Sequence, residues 1–177
     1  MGEWRLVPYD PVVVYKGIKR FDCGNEMINR FVTRALKKRV KKHLSRAYVL
    51  LDGSGEFAGF YTLDTFAITR ELFDTVDGPA GLPPSVPVVK LGMLGVDRRW
   101  QKQGLGKRLL RDALIRVAWI AQIAGCAGVY LLAEEAAVPF YESLGFIALR
   151  EARPLPMFLP IETVMESLPQ GGVMTPP

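Results

Sequence analysis

Val96-Asp97-Arg98-Arg99-Trp100-Gln101-Lys102-Gln103-Gly104-Leu105-Gly106-Lys107 joins an apolar run to an amphipathic one through a Gly-x-Gly turn. Upstream, residues 88–96 read as a strand entered after Pro87. Downstream, residues 105–124 carry apolar side chains at helical spacing. A helix that starts on glycines presents unpaired N–H groups and the positive end of its dipole, which favours phosphate. Glycines at 104 and 106 let the backbone approach such an anion, and Lys102, Lys107 and Arg108 add positive charge around it. Other phosphate loops fit less well. A Walker A loop needs glycine at 101 and Ser or Thr at 108, where Gln101 and Arg108 stand. A dinucleotide fingerprint needs glycine at 109, which is Leu109.

Working outward, the chain breaks at Gly125-Cys126 and resumes with a buried strand at 129–133, a short helix at 135–144 and closing strands at 146–150 and 157–159. On the other side, residues 57–68 and 47–51 are strand-like. Asp52-Gly53-Ser54-Gly55 between them is a hairpin signal. Residues 69–87 are rich in Gly and Pro and read as a loop with one helical turn at 71–76. From Glu26 to about Leu44, Ile28, Phe31, Val32, Ala35, Leu36 and Val40 recur at helical spacing, behind a cap at Asp22 or Asn25. The β-branched run 12–15 is read as a first strand. The order is that of a mixed α/β fold.

A chain of 177 residues, 49% hydrophobic and 23% charged, has the composition of an ordinary globular domain. One domain is expected over 1–167, with 168–177 as a flexible tail. Two distant cysteines and a single histidine cannot build a four-ligand zinc site, so no metal is expected and the thiols are read as reduced. The N-terminus lacks an apolar signal core, and Leu6 stands where a myristoylation motif needs Ser or Thr. The longest apolar stretch, 117–133, is interrupted by Gln122, Gly125 and Gly128 and falls short of a membrane span. A cytoplasmic protein is the expectation. Its net charge of +5 is unevenly placed: Arg30, Arg34, Lys37, Lys38, Arg39, Lys41, Lys42 and Arg46 fall within one short stretch that holds no acidic residue.

Gln101-x-x-Gly104-x-Gly106 on a strand–helix junction, followed by Phe140-Tyr141-Glu142-Ser143-Leu144-Gly145-Phe146 after a second buried strand, resembles the paired motifs of GNAT-superfamily N-acetyltransferases. The resemblance spans 88–150. It implies a mixed central sheet with a splayed strand pair, flanked by helices, that holds acetyl-CoA as co-substrate. Gln101, Lys102, Gln103, Gly104, Leu105, Gly106 and Lys107 would then hold the diphosphate. Leu94 and Val96 would line the pantetheine arm, with the Leu94 N–H polarising the thioester carbonyl. Tyr141 would protonate the departing thiolate, since a phenol with pKa near 10 is a competent donor at neutral pH.

Phe21-Asp22-Cys23-Gly24-Asn25, the basic helix, Arg46-Ala47-Tyr48-Val49-Leu50 and residues 90–106 are further similar to the GNAT toxins of bacterial type II toxin–antitoxin pairs. Met93 and Gly95 depart from that pattern, which more often has Arg and Ala. The toxins acetylate the amino group of aminoacyl-tRNA, halt translation, and are restrained by a ribbon-helix-helix antitoxin. The resemblance places the basic helix beside the acceptor groove, which implies that Arg34, Lys38, Lys41, Lys42 and Arg46 grip tRNA phosphates. A homodimer is compatible with it.

No general base stands out. His43 lies in the basic helix and reads as solvated, and Glu134 and Glu135 end a buried strand where carboxylates also cap helices. An α-amine of pKa about 8 has a substantial neutral fraction without a base. Two other readings remain open: a GNAT enzyme acting on a small amine or a protein N-terminus, and a non-catalytic acyl-CoA or RNA-binding module. Retention of Tyr141 beside Gly104-x-Gly106 argues against the module, which has no need of a phenol.

Overall fold

Asp52 turns the chain between β2 (Arg46–Leu51) and β3 (Phe57–Thr69), its Oδ1 accepting from the amides of Ser54 and Glu56 at 2.9 and 2.8 Å. The two strands pair antiparallel from Arg46↔Leu63 to Leu50↔Gly59, and a bulge shifts the last pair to Leu51↔Phe57. The computed structural model describes residues 3–73 and 79–168. Its sheet has seven strands in the order β1-β2-β3-β4-β5-β7-β6. One neighbouring pair, β4 with β5, runs parallel, which makes the sheet mixed as expected. The chain divides into two compact units, Met1–Asp64 with Gly92–Ala113 and Thr65–Leu91 with Leu114–Pro177.

In the first unit, β1 (Arg5–Pro8) pairs antiparallel with β2, from Arg5↔Leu51 to Pro8↔Tyr48. Its core gathers Phe21, Val32, Leu36, Val40, Val49, Phe57 and Phe60. Phe21 meets Phe57 edge-on with ring centroids 5.2 Å apart. Val32 comes from α1 (Glu26–Arg34), and Leu36 and Val40 from α2 (Leu36–Lys41). Asn25 caps α1 by accepting from the Ile28 amide at 3.2 Å. The end of β4 (Ser85–Val96) and the start of α3 (Leu105–Ile123) complete the unit, with Leu105, Leu109, Leu110 and Ala113 buried.

In the second unit, β5 (Gly128–Ala133) pairs antiparallel with β7 (Leu155–Pro160) over its whole length, and β6 (Ile147–Ala148) adds to β7. The parallel ladder to β4 holds the register Val89↔Val129 and Lys90↔Tyr130, and β4 runs on beyond it to Val96. Ile68, Phe73, Val86, Val88, Tyr130, Leu149 and Phe158 form the core. The unit also holds α4 (Val138–Glu142) and α5 (Ile161–Glu166).

Three expectations need correction, and one helix is new. Residues 12–15 are not a strand. Asp10 folds them into a turn, its Oδ1 accepting from the Val12 amide at 2.9 Å and its carbonyl from Val13 at 3.1 Å. Val12 and Val14 are left 83% and 89% exposed, so β-branching here does not mark burial. The long basic helix is two helices, broken where Ala35 departs from helical backbone at φ −120°. The helix expected at 135–144 starts as a 3-10 turn, Glu135–Ala137, and becomes α-helical only at Val138. Helix α5 was not anticipated, because it begins directly after the strand-ending Pro160.

The helical turn expected at 71–76 is a 3-10 turn at Arg70–Phe73; residues 74–78 lie outside the described residues, as do 1–2 and 169–177 of the expected tail. No helix among the described residues is long and apolar enough to cross a membrane.

Candidate active site

Strand β4 ends at Val96, and the next residue fixes the loop. Asp97 is 2% exposed, its amide bonded to the Ala58 carbonyl at 2.8 Å. Its Oδ1 accepts from the Arg99 amide and guanidinium at 3.0 and 3.1 Å, and its Oδ2 from the Asp22 amide at 3.2 Å. Burial alone would raise its pKa; the Arg99 guanidinium and the two amides outweigh that and hold it below the usual carboxylate range. Asp97 thus ties the segment ahead of α1 to the end of β4.

Gln101 closes the same loop from the other side. Its Nε2 donates to the carbonyls of Cys23 at 2.9 Å and Val96 at 2.8 Å. Lys102 and Gly104 then take left-handed backbone, at φ 63° and 79°. Glycine suits the second of these because a Cβ costs energy there. Arg108 donates the first helical N–H to the Gly104 carbonyl at 3.1 Å, so the amides of Leu105, Gly106 and Lys107 precede the helical ladder at the positive end of α3. A Cβ built on Gly104 meets nothing within 4 Å: the space over this turn is open. Lys102, Lys107 and Arg108 are exposed around it, with Arg108 also donating to the Trp4 carbonyl at 3.3 Å. Open space, free amides and cations suit a diphosphate.

Leu94 is half-buried on β4 and Val96 buried. The Met93 amide donates to Thr62 Oγ1 at 2.9 Å, a side-chain bond. The departure at Gly95 has a steric reason. A Cβ there would lie 3.2 Å from Cys23 Sγ and 3.3 Å from Ile28 Cγ2. Cys23 and Cys126 are free thiols, both pushed up by burial, which makes neither a ready nucleophile.

Tyr141 belongs to the second unit. It sits on α4, 8% exposed, with Phe140 at 5.1 Å and Phe146 at 5.4 Å between ring centroids. Burial pushes its pKa up to about 12. Among the described residues its hydroxyl has no hydrogen-bond partner, so the phenol is not held by a backbone carbonyl. In the same unit Glu134 and Glu135 line a cavity of about 570 Å³ with Glu151 and Arg153. Neither caps a helix by its side chain, and Glu135 pairs with Arg153 at 2.9 Å.

The basic stretch lies wholly in the first unit. Arg34, Lys38, Lys41, Lys42 and Arg46 are exposed, as is Lys37. Among the described residues none of these six makes an ion pair. Two other cations do. Arg30 approaches Glu26 at 3.7 Å, and Arg39 lies 3.4 Å from Asp64 and donates to Ser45 Oγ at 2.9 Å. Exposed His43 ends the α2 segment in left-handed backbone at φ 58°.

Asp64 was missed in the sequence. It is the one acidic residue in the run FAGFYTLDTFAIT of β3, and a charge inside an otherwise uncharged strand was the available signal.

The profile of the Acetyltransferase (GNAT) domain matches residues 43–148. A probable toxin TacT of Sinorhizobium fredii is 33% identical over 157 residues, 81% of this chain and 84% of that protein. A solved bacterial toxin superposes with a TM-score of 0.92 at 35% identity, covering 97% of this chain and 98% of the other. AtaT complexed with acetyl-methionyl-tRNAfMet superposes at 0.80 with 30% identity over 93% of this chain and 98% of AtaT. An AtaT mutant bound to the C-terminus of the antitoxin AtaR and acetyl-CoA superposes at 0.78 with 30% identity over 92% and 96%. The chain belongs to the GNAT family and is an acetyltransferase. The relatives named above are toxins, and one of them, AtaT, is bound to the C-terminus of its antitoxin AtaR.

Proposed function

We propose that this protein is a toxin that moves the acetyl group of acetyl-CoA to the α-amino group of aminoacyl-tRNA and so blocks translation. The observation that carries the choice of acceptor is the cationic face: Arg34, Lys38, Lys41, Lys42 and Arg46 stand exposed without ion pairs among the described residues. A row of like charges repels itself, and a polyanion relieves that repulsion. Further support comes from the AtaT complex with an acetylated aminoacyl-tRNA. In this reading the protein works in the cytoplasm as one GNAT domain, as a monomer or homodimer. It is held in check by a ribbon-helix-helix antitoxin.

Acetyl-CoA supplies an acetyl thioester, which an amine attacks. The open turn over Gly104, with the Leu105, Gly106 and Lys107 amides, fits its diphosphate, and Gln101, Lys102 and Gln103 shape the approach. Val96 lines the pantetheine arm. The Leu94 N–H donates to the carbonyl oxygen as negative charge gathers on it. Tyr141 donates a proton to the departing sulfur. Burial pushes that phenol up to about 12 and so keeps it protonated at neutral pH, with its proton in place when the sulfur departs.

The salt dependence of tRNA binding tests the acceptor. Neutralising Lys38, Lys41, Lys42 and Arg46 to Gln flattens the slope of log affinity against log salt by roughly 0.7 to 0.9 for each phosphate that loses its cation. Equal slopes in wild type and variant would leave this face solvated and favour a small amine acceptor.

A further inference from the structure

Strand β3 carries its one acid, Asp64, in a nearly closed position, with the side chain 14% exposed. Oδ2 lies 3.4 Å from Arg39 Nη2. Oδ1 is shut off from solvent and has no hydrogen-bond partner among the described residues. A buried carboxylate oxygen without a donor is unfavourable, and native structures pair all but a few such atoms.

The neighbours define where it lies. A Cβ built on Gly92 would lie 2.8 Å from Thr62 Oγ1 and 3.5 Å from Asp64 Oδ2, so both side chains press on β4 at its glycine and the carboxyl group lies against that strand. Thr62 Oγ1 accepts from the Met93 amide at 2.9 Å, which fixes β4 against β3 at this point. Gly92 and Leu94 are two apart on β4 and share a face, roughly 7 Å from one another. The Asp64 carboxyl group therefore lies against β4 two residues before the one whose amide is assigned to the thioester carbonyl.

We propose that Asp64 is the acceptor-binding carboxylate: Oδ1 accepts a hydrogen bond from the amino group to be acetylated, while Arg39 holds Oδ2 and sets the orientation. This rests on the proposed transfer to an amine. The nitrogen lone pair forms the C–N bond to the acetyl carbon, and the positive charge that appears on nitrogen faces the carboxylate. The surplus nitrogen proton passes to Oδ1 and on to water. The C–S bond breaks with its electron pair on sulfur, which takes the proton of Tyr141, and water reprotonates the phenol. Arg39 is thereby a positioning residue, which explains why this cation of the basic stretch turns inward.

The test compares binding of an aminoacyl-tRNA with that of the same tRNA carrying the corresponding des-amino acid, in which hydrogen replaces the amino group and no donor is left, in wild type and in Asp64→Asn, without acetyl-CoA. Wild type is expected to prefer the amine roughly 10- to 100-fold, the value of a hydrogen bond to a charged group. Asp64→Asn is expected to bind the two alike, with affinity for acetyl-CoA unchanged. Equal binding of both tRNAs by wild type overturns the proposal, as does an undiminished preference in Asp64→Asn. Should that variant fail to fold, Arg39→Lys, which loosens the hold on Oδ2, is expected to shrink the preference, and an unchanged one overturns the proposal. The acceptor reading fails separately, by absence of label from charged tRNA in wild type. Glycinamide then replaces tRNA as acceptor, and equal kcat/KM in wild type and Asp64→Asn overturns the role of Asp64.

Discussion

The side-chain amide of Gln101 donates to the carbonyl oxygen of Val96 at 2.8 Å, spanning the loop between β4 and α3. The glutamine of the motif thus acts on the loop itself, holding the end of the strand near the turn that starts the helix. A second bond, to the Cys23 carbonyl at 2.9 Å, ties in the segment ahead of α1.

Gln101→Leu keeps the bulk and removes both bonds. Two carbonyls lose a donor, which costs about 1–3 kcal/mol in urea unfolding. Because the turn at Lys102 to Gly104 depends on this hold, acetyl-CoA affinity measured by calorimetry is expected to fall roughly tenfold, the equivalent of about 1.4 kcal/mol. Unchanged affinity would mean that the helix start keeps its shape without the glutamine.

Tyr141→Phe keeps the ring between Phe140 and Phe146 and deletes the proton donor. Turnover is expected to drop roughly 10²- to 10⁴-fold with acetyl-CoA affinity nearly unchanged. Since burial raises the phenol to about 12, the hydroxyl stays protonated through pH 10, and wild-type kcat should show no loss assignable to Tyr141 below that. The contribution of a raised group is complete below its unfolded value, about 10, and is lost as pH rises through the folded one. The Phe variant should lack that alkaline loss in pH-dependent melts.

Asp97→Asn tests the tie between the α1 approach and β4. It places a donor among the amides and guanidinium that Asp97 accepts from, and is expected to destabilise by about 1–3 kcal/mol at pH 7. The folded pKa lies below the unfolded value, so the carboxylate stabilises above about 3.8 and this is lost as pH falls through the folded value. The gap between wild type and variant should therefore narrow in acid. A gap that is constant with pH would assign the effect to packing.

The parts of the fold that were legible in the sequence are those where local chemistry and tertiary packing agree. Asp52-Gly53-Ser54-Gly55 turns because its own side chains satisfy its amides, and Gly104 needs its left-handed backbone whatever surrounds it. The misread parts depend on distant partners. Val12 and Val14 look like strand residues, but Asp10 and Tyr15 close a turn around them, the Tyr15 hydroxyl accepting from the Asp10 amide at 2.8 Å. The stretch from Arg30 to Arg46 holds no acid, yet Glu26 and Asp64 each reach into that row from outside it. The unpaired oxygen of Asp64 could not be seen at all in one dimension, since it is defined by the absence of a donor in space.

The most direct test of the central claim is acetyl transfer itself. Wild-type protein is incubated with labelled acetyl-CoA and bulk charged tRNA, with deacylated tRNA as the parallel sample. Label is expected in the charged sample alone, released with the amino acid when the ester is cleaved by mild alkali. Its rate of entry is expected to fall roughly 10²- to 10⁴-fold in Tyr141→Phe and to fall as well in the variant lacking Lys38, Lys41, Lys42 and Arg46. No label on charged tRNA, while a small amine is acetylated readily by the same preparation, would contradict the account.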